Sequence, residues 1–200
     1  MMQELLIATH NQGKLREYAA MFDGLGLQLR TLDDLGISEE VAETGTTFAE
    51  NARLKADGYL QLAGIPTLAD DSGLEVAALD GAPGVYSARY GGVTGRAQLE
   101  YLLQQLEGVP FHARMARFVC VIALAHPQGE TELVEGMLHG VIELAPRGDQ
   151  GFGYDPLFYV LDDDMTLAEM APERKNAISH RAVAARAARE ILERWVNGEG

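Results

Sequence analysis

At 200 residues the chain is long enough for one substantial core or two small lobes. Hydrophobic residues make up 47% and charged residues 23%, an ordinary balance for a soluble globular protein. The formal net charge of −14 excludes the broad basic face that general binding to DNA, RNA or acidic membranes requires. An anionic small molecule remains admissible, because it needs only a local cluster of Lys and Arg, or a metal ion.

In chain order, Leu5–Ala8 is a short apolar run that predicts a buried strand. Met1–Thr9 has no basic n-region and enters that run at once, so no signal peptide is expected. No stretch approaches the length of a membrane span, and the cytoplasm is the expected location. The polar loop Thr9–Lys14 follows, then a helical period in which Leu15, Tyr18, Ala19 and Phe22 share a face until Gly24 and Gly26. Strand, polar loop and helix in this order aim backbone N–H groups and a helix N-terminus at one place, which favours phosphate. Thr9 and Asn11 add hydrogen bonds and Lys14 a charge. A plain turn with a solvated lysine is the alternative, because the spacing is not that of a Walker loop. Leu27–Leu32 reads as an adjacent strand, and Ser38–Gly45, with Glu39, Glu40 and Glu43, as a solvated acidic loop.

A helix is predicted from Thr46 or Thr47, with Thr47 and Glu50 spaced as a capping box. Phe48, Ala52, Lys55, Ala56, Tyr59 and Ala63 form its stripe, and Gly64-Ile65-Pro66 stops it. Asn51 and Lys55 lie one turn apart and can face one site, although Lys55 can equally snorkel. The run Ile65–Ala69 predicts a strand that ends at Asp70-Asp71-Ser72-Gly73. Two carboxylates at a strand end suit Mg²⁺ or the polarisation of a water; a self-capped turn is the plainer alternative. Gly81–Tyr90 is a glycine-rich loop with Arg89 among aromatics, and Thr94 is placed to cap a helix through Ala97, Tyr101, Leu102 and Leu106.

Arg114–Ala125 and Glu132–Leu144 around His126–Gly129 predict a long hairpin. Cys120, the one cysteine, lies within it as a core thiol. The composition suggests a second, β-rich lobe at about residues 112–160 within a single domain spanning 1–200. In Gly151–Pro156, two glycines free Phe152 to offer a ring face, on which a planar base can stack; a turn with a core aromatic is the alternative. Thr166 and Glu169 are spaced as a second capping box, for a short helix ended by Pro172. Lys175, His180 and Arg181 crowd the start of a last helix running to about Val196, an arrangement the helix dipole disfavours. Ala184, Ala188, Ile191, Leu192 and Trp195 form its apolar face.

Six motifs in order resemble the HAM1/RdgB family of non-canonical purine nucleoside triphosphate pyrophosphatases, the inosine triphosphatases. They are Thr9–Lys14, Phe48-x-Glu50-Asn51-Ala52, Ala69–Gly73, Gly81–Gly84 with Tyr86–Arg89, Phe152–Asp155 and Ser179–Arg181. The resemblance runs from Leu5 to about Ala184. It implies an α/β protein with the elongated, two-lobed, mixed-sheet fold of that family and a cleft between the lobes. It implies a homodimer, dependence on Mg²⁺, and hydrolysis of ITP, dITP and XTP to the monophosphate and pyrophosphate, clearing deaminated purines from the nucleotide pool. Carried over by motif, Asp71 is the general base and a metal ligand, with Glu43 or Asp70 completing the metal site. Ser72 contacts substrate, and Thr9, His10, Asn11, Gln12, Gly13 and Lys14 form the phosphate loop. Phe152, Gly153, Tyr154, Asp155, Lys175, His180 and Arg181 form the base pocket.

These residue types suit the implied chemistry. Lys175, His180 and Arg181 are donors that pair with the 6-oxo group of hypoxanthine or xanthine, and the amino group of adenine would leave them unpaired. Two other readings stay open: a pyrophosphatase for modified pyrimidine or methylated nucleotides, and a nucleotide sensor without turnover. The negative charge argues against an RNA-binding module.

Overall fold

The computed structural model describes residues 3–198. It is an α/β protein with a mixed seven-stranded sheet. In chain order the elements are β1 (Gln3–Ile7), α1 (Gln12–Met21), β2 (Leu27–Thr31), α2 (Phe48–Ala63), β3 (Thr67–Val76) and α3 (Arg96–Gln105). Then come β4 (Met115–Ala125), β5 (Glu132–Ile142), β6 (Phe158–Val160), β7 (Met165–Thr166), α4 (Pro172–Ile178) and α5 (His180–Val196). The strand order is β2-β1-β3-β4-β5-β6-β7. β1 runs parallel to β2, with Leu5 opposite Leu29, and parallel to β3, with Leu6 opposite Thr67. β6 is antiparallel to both β5 and β7. No helix among the described residues is long and apolar enough to cross a membrane.

The chain divides into two compact units: residues 1–71, 120–136 and 181–200, and residues 72–119 and 137–180. The core of the first joins Leu5, Ile7, Leu68, Cys120, Ile122 and Leu124 of the strands to Tyr18 of α1 and Phe22 at its end and to Ala184, Ala188, Ile191, Leu192 and Trp195 of α5. The core of the second joins Leu74, Val76, Phe118 and Ile142 to Leu99, Leu102 and Leu106 and to Tyr154, Leu157 and Phe158.

Several expectations meet these elements. The strand predicted to stop at Asp70-Asp71 runs on to Val76, so the two carboxylates sit inside β3 and are not at its end. The reason is visible on both sides: Leu74 and Val76 are wholly buried, and the carboxylates bond to other parts of the chain. The capping box of α2 forms as spaced, with Thr47 Oγ1 accepting from Glu50 N and Glu50 Oε2 accepting from Thr47 N. Thr94 does not cap α3; Gly95 does, at φ 60°. Thr166 and Glu169 make half of a box, Thr166 N to Glu169 Oε2 at 2.8 Å, but no helix forms between them and Pro172. Pro172 begins α4 and does not end a helix, because a missing N–H costs nothing at the first helical position. The last helix is two helices, broken at Ser179 with ψ 153°, so Lys175 lies on α4 while His180 and Arg181 open α5. On α1, Ala19 faces solvent, and burial falls on Tyr18 and Phe22.

Candidate active site

Adjacent residues of a strand point to opposite faces of the sheet. Asp70 therefore shares the face of Leu68, toward Cys120, α1 and α5. Asp71 takes the other face, where α2 meets it. Two neighbours in sequence thus acquire different surroundings, each within the first unit.

Asp70 is 3% exposed and surrounded by cations. Lys14 Nζ lies 2.8 Å from its Oδ2, and Arg181 Nε 3.9 Å. Cys120 Sγ lies 3.9 Å from the same oxygen. Burial alone would raise the Asp70 carboxyl pKa, but Lys14, Arg181 and Lys55 reverse the sign and hold it well below the usual carboxylate range. Arg181, 2% exposed, also forms an ion pair with Glu17 of α1. Its guanidinium, expected among the base-reading donors, is set against Asp70 and Glu17.

Asp71, 8% exposed, accepts from Asn51 Nδ2 at 3.0 Å. Its carboxyl pKa is raised, mainly by burial and further by the charge of Glu43, against the opposing pull of Lys55, Asn51 and Lys14. Lys55 Nζ lies 2.9 Å from Glu43 Oε1 and donates to the Asp70 carbonyl. Burial would lower the Lys55 pKa; Asp70, Asp71 and Glu43 together raise it. One ammonium thus serves two carboxylates that repel each other.

The loop Thr9–Lys14 is organised around its own helix. Asn11 is the N-cap of α1, and its Oδ1 accepts from Gly13 N at 2.8 Å and Lys14 N at 3.2 Å. Thr9 Oγ1 accepts from Asn11 N. Two of the loop N–H groups expected to meet phosphate are therefore occupied by Asn11. His10 and Gln12 are exposed, and His10 lines an open pocket with Asp33, Gly36, Ile37, Ser38 and Glu40.

The second unit carries a different group. Phe152 is 45% exposed, and Lys175 Nζ stands 4.7 Å from its ring centroid. Asp155, buried, accepts from Lys175 Nζ at 2.7 Å and from Phe152 N at 2.8 Å. One carboxylate thereby fixes both the ring's backbone and the cation above it. Gly151, at φ 76°, cannot be replaced, because a Cβ there would lie 2.1 Å from Asp155 Oδ2. Gly153 follows at φ 60°. Tyr154 is turned into the core, with its hydroxyl donating to Ser87 O at 3.0 Å and its pKa raised by burial. The same carbonyl accepts from Gln98. His180 is buried and stacks on Phe118, ring centroids 4.8 Å apart. Ser72, partly buried, follows Asp71 along β3.

Among the described residues no group of three or more His, Cys, Asp and Glu is placed to hold a metal ion. Mg²⁺ is commonly held by one or two carboxylates, with waters and substrate phosphates completing the octahedron. The donor set fits: Asp71 and Glu43 are hard oxygen donors close enough to repel, and a divalent cation removes that repulsion.

The pattern of the Ham1 family matches residues 5–191. The chain belongs to the Ham1 family. A dITP/XTP pyrophosphatase of Geobacillus kaustophilus is 49% identical to it, over 100% of this chain and 98% of that protein. One of Geobacter sulfurreducens is 53% identical, over 90% and 92%. The solved structure of the Staphylococcus aureus Ham1 protein superposes with TM-score 0.88 at 41% identity, covering 96% of this chain and 98% of that one. Asn51, inside the Phe48-x-Glu50-Asn51-Ala52 motif, and Lys55, one turn on and expected to share its face of α2, carry no assigned role in the sequence reading; in the structure Asn51 bonds to Asp71 and Lys55 to Glu43.

Proposed function

We propose that this Ham1-family protein hydrolyses dITP, XTP and ITP to the nucleoside monophosphate and pyrophosphate, and so removes deaminated purines from the nucleotide pool. The observation that carries the reading is Asp71, a buried carboxylate whose pKa is raised, beside Glu43 and Lys55. Names shared by close relatives over the full chain support the substrate class.

Asp71 and Glu43 would hold Mg²⁺. Bound there, the ion would neutralise charge on the triphosphate. Asp71 accepts a proton from water as its oxygen bonds the α-phosphorus, and the α–β anhydride bond breaks to release pyrophosphate. Burial and the hydrogen bond from Asn51 hold the Asp71 carboxylate in place to take that proton. Asp70 keeps Lys14 and Arg181 charged and in place, and Lys14 has further ammonium hydrogens for phosphate. Phe152 stacks on the purine, and Lys175, held by Asp155, donates to the 6-oxo group. Adenine would meet that donor with an amino group, which costs binding. The protein acts as a homodimer in the cytoplasm, and its solution mass tests the first point.

The test is a hydrolysis panel with Mg²⁺ on dITP, XTP, ITP, ATP, GTP and dTTP, with products resolved. The expected result is pyrophosphate release and a preference of about 100-fold for dITP and XTP over ATP. Turnover confined to pyrimidine or methylated nucleotides would discard the base-reading part. Binding without turnover would make the protein a sensor.

A further inference from the structure

We propose that Asn51 is a positioning residue for the reaction: it orients the Asp71 carboxylate and locks it in register with the loop that carries Glu43. The inference rests on the activity proposed above.

Asn51 is 2% exposed, on the second turn of α2. Both ends of its carboxamide are used. Oδ1 accepts from Gly45 N at 2.8 Å, and Nδ2 donates to Asp71 Oδ2 at 3.0 Å. A backbone N–H can only donate, so the amide oxygen must face Gly45 and the NH₂ must face Asp71. The flipped amide would set N–H against N–H and oxygen against carboxylate. Gly45 thereby fixes which way Asn51 points, and Asn51 fixes one oxygen of Asp71.

The loop itself is stitched to the same helix. Thr46 N and Oγ1 donate to Glu50 Oε2 at 2.7 and 2.9 Å, and Thr47 N donates to it at 3.1 Å. A Cβ on Gly45 would lie 2.8 Å from Asn51 Oδ1 and 2.6 Å from Glu50 Cβ, so the loop closes on Asn51 only with glycine there. Glu43, two residues earlier, is held by Lys55, one turn beyond Asn51. A mere loop staple would need only the Gly45 bond. The second bond, to Asp71, ties strand to loop.

Two variants separate these roles. Asn51→Asp retains an acceptor for Gly45 N–H but loses the donor to Asp71. Asn51→Leu loses both at similar volume. Each is assayed for kcat and KM on dITP at saturating Mg²⁺, for Kd with a non-hydrolysable α,β-imido dITP analogue, for amide hydrogen exchange at Gly45, and for Tm. Displacement of a reacting group by under an ångström lowers kcat by about 30- to 100-fold, and this is expected of both variants. KM and Kd should stay within about threefold. Gly45 exchange should remain slow in N51D and accelerate in N51L. Wild-type kcat in N51D would overturn the proposal, as would a loss confined to N51L that tracks Gly45 exchange. A loss carried wholly by KM and Kd would also overturn it, because Asn51 would then be a substrate contact. No dITP turnover in the unsubstituted protein would sink the proposed activity itself, whereas turnover matched by N51D sinks only the role of Asn51. N51D keeps the loop bond, so the test stands even if N51L does not fold.

Discussion

The two units bury charge in opposite ways. The first gathers Asp70, Asp71, Arg181, Lys14 and Lys55 with Glu17 and Glu43, and balances them against one another. Among its described residues the second buries the pair Asp155–Lys175, which holds a half-exposed ring, and Arg114, whose guanidinium donates to backbone carbonyls. Each buried ion costs several kcal/mol unless it is paired and hydrogen-bonded. A set as dense as the first is therefore poor value as scaffolding and suits a polyanion with its metal. A flat ring beside one cation suits a neutral planar group carrying an acceptor. The difference teaches that charge density separates the two tasks more clearly than any one motif does.

The comparison breaks most sharply at Asp71. Asp71→Asn should lower kcat by about 10³-fold, the middle of the range for losing a general base. The same change should leave Tm equal or higher. The Asp71 carboxyl pKa is raised in the folded state, so its ionisation destabilises the fold as pH rises through and above the unfolded value near 3.9; the amide removes that penalty. Steady-state kinetics and calorimetry at pH 7 check both halves.

Asp70 should show the reverse. Asp70→Asn leaves Lys14 and Arg181 without their shared carboxylate and should cost about 3 kcal/mol in denaturant unfolding. The Asp70 pKa is depressed in the fold, so its stabilisation is complete above the unfolded value near 3.9 and is lost as pH falls toward the folded one. The gap between the two proteins should accordingly narrow only in acid, below about pH 4. A gap that closed between pH 5 and 7 would show that Asp70 is not the paired charge.

The smallest effect sharpens the second unit. Phe152→Ala should raise KM for dITP by about tenfold, one base-stacking contact, with Tm nearly unchanged because the ring is half exposed. A fall in kcat at constant KM would remove Phe152 from base binding.

Much of this was readable beforehand, and where it failed the failures share a cause. The Thr47–Glu50 box formed as spaced, because both of its bonds join residues three apart in sequence. The hairpin strands and the buried face of α5 likewise follow from local period. Asp70-Asp71-Ser72-Gly73 read as a turn because such residues bond their own backbone when nothing else is near. Here Lys14 and Asn51 take the side chains, and the strand continues. Arg181 pairs with Glu17 from far along the chain, which no spacing announces.

Short-range period and residue chemistry were enough for most strands and helices, for the family resemblance and for the kinds of group near Asp71, but not for the end of β3, the break at Ser179 or the helix expected after Thr166. What surrounds each group came from residues far apart in the chain, which only packing brings together. Alternation along β3 sent Asp70 and Asp71 to opposite faces, and burial with different neighbours moved their pKa values in opposite directions. Two identical side chains acquired opposite acidities because the field at a carboxylate is set by what folds against it, not by its neighbour in the chain.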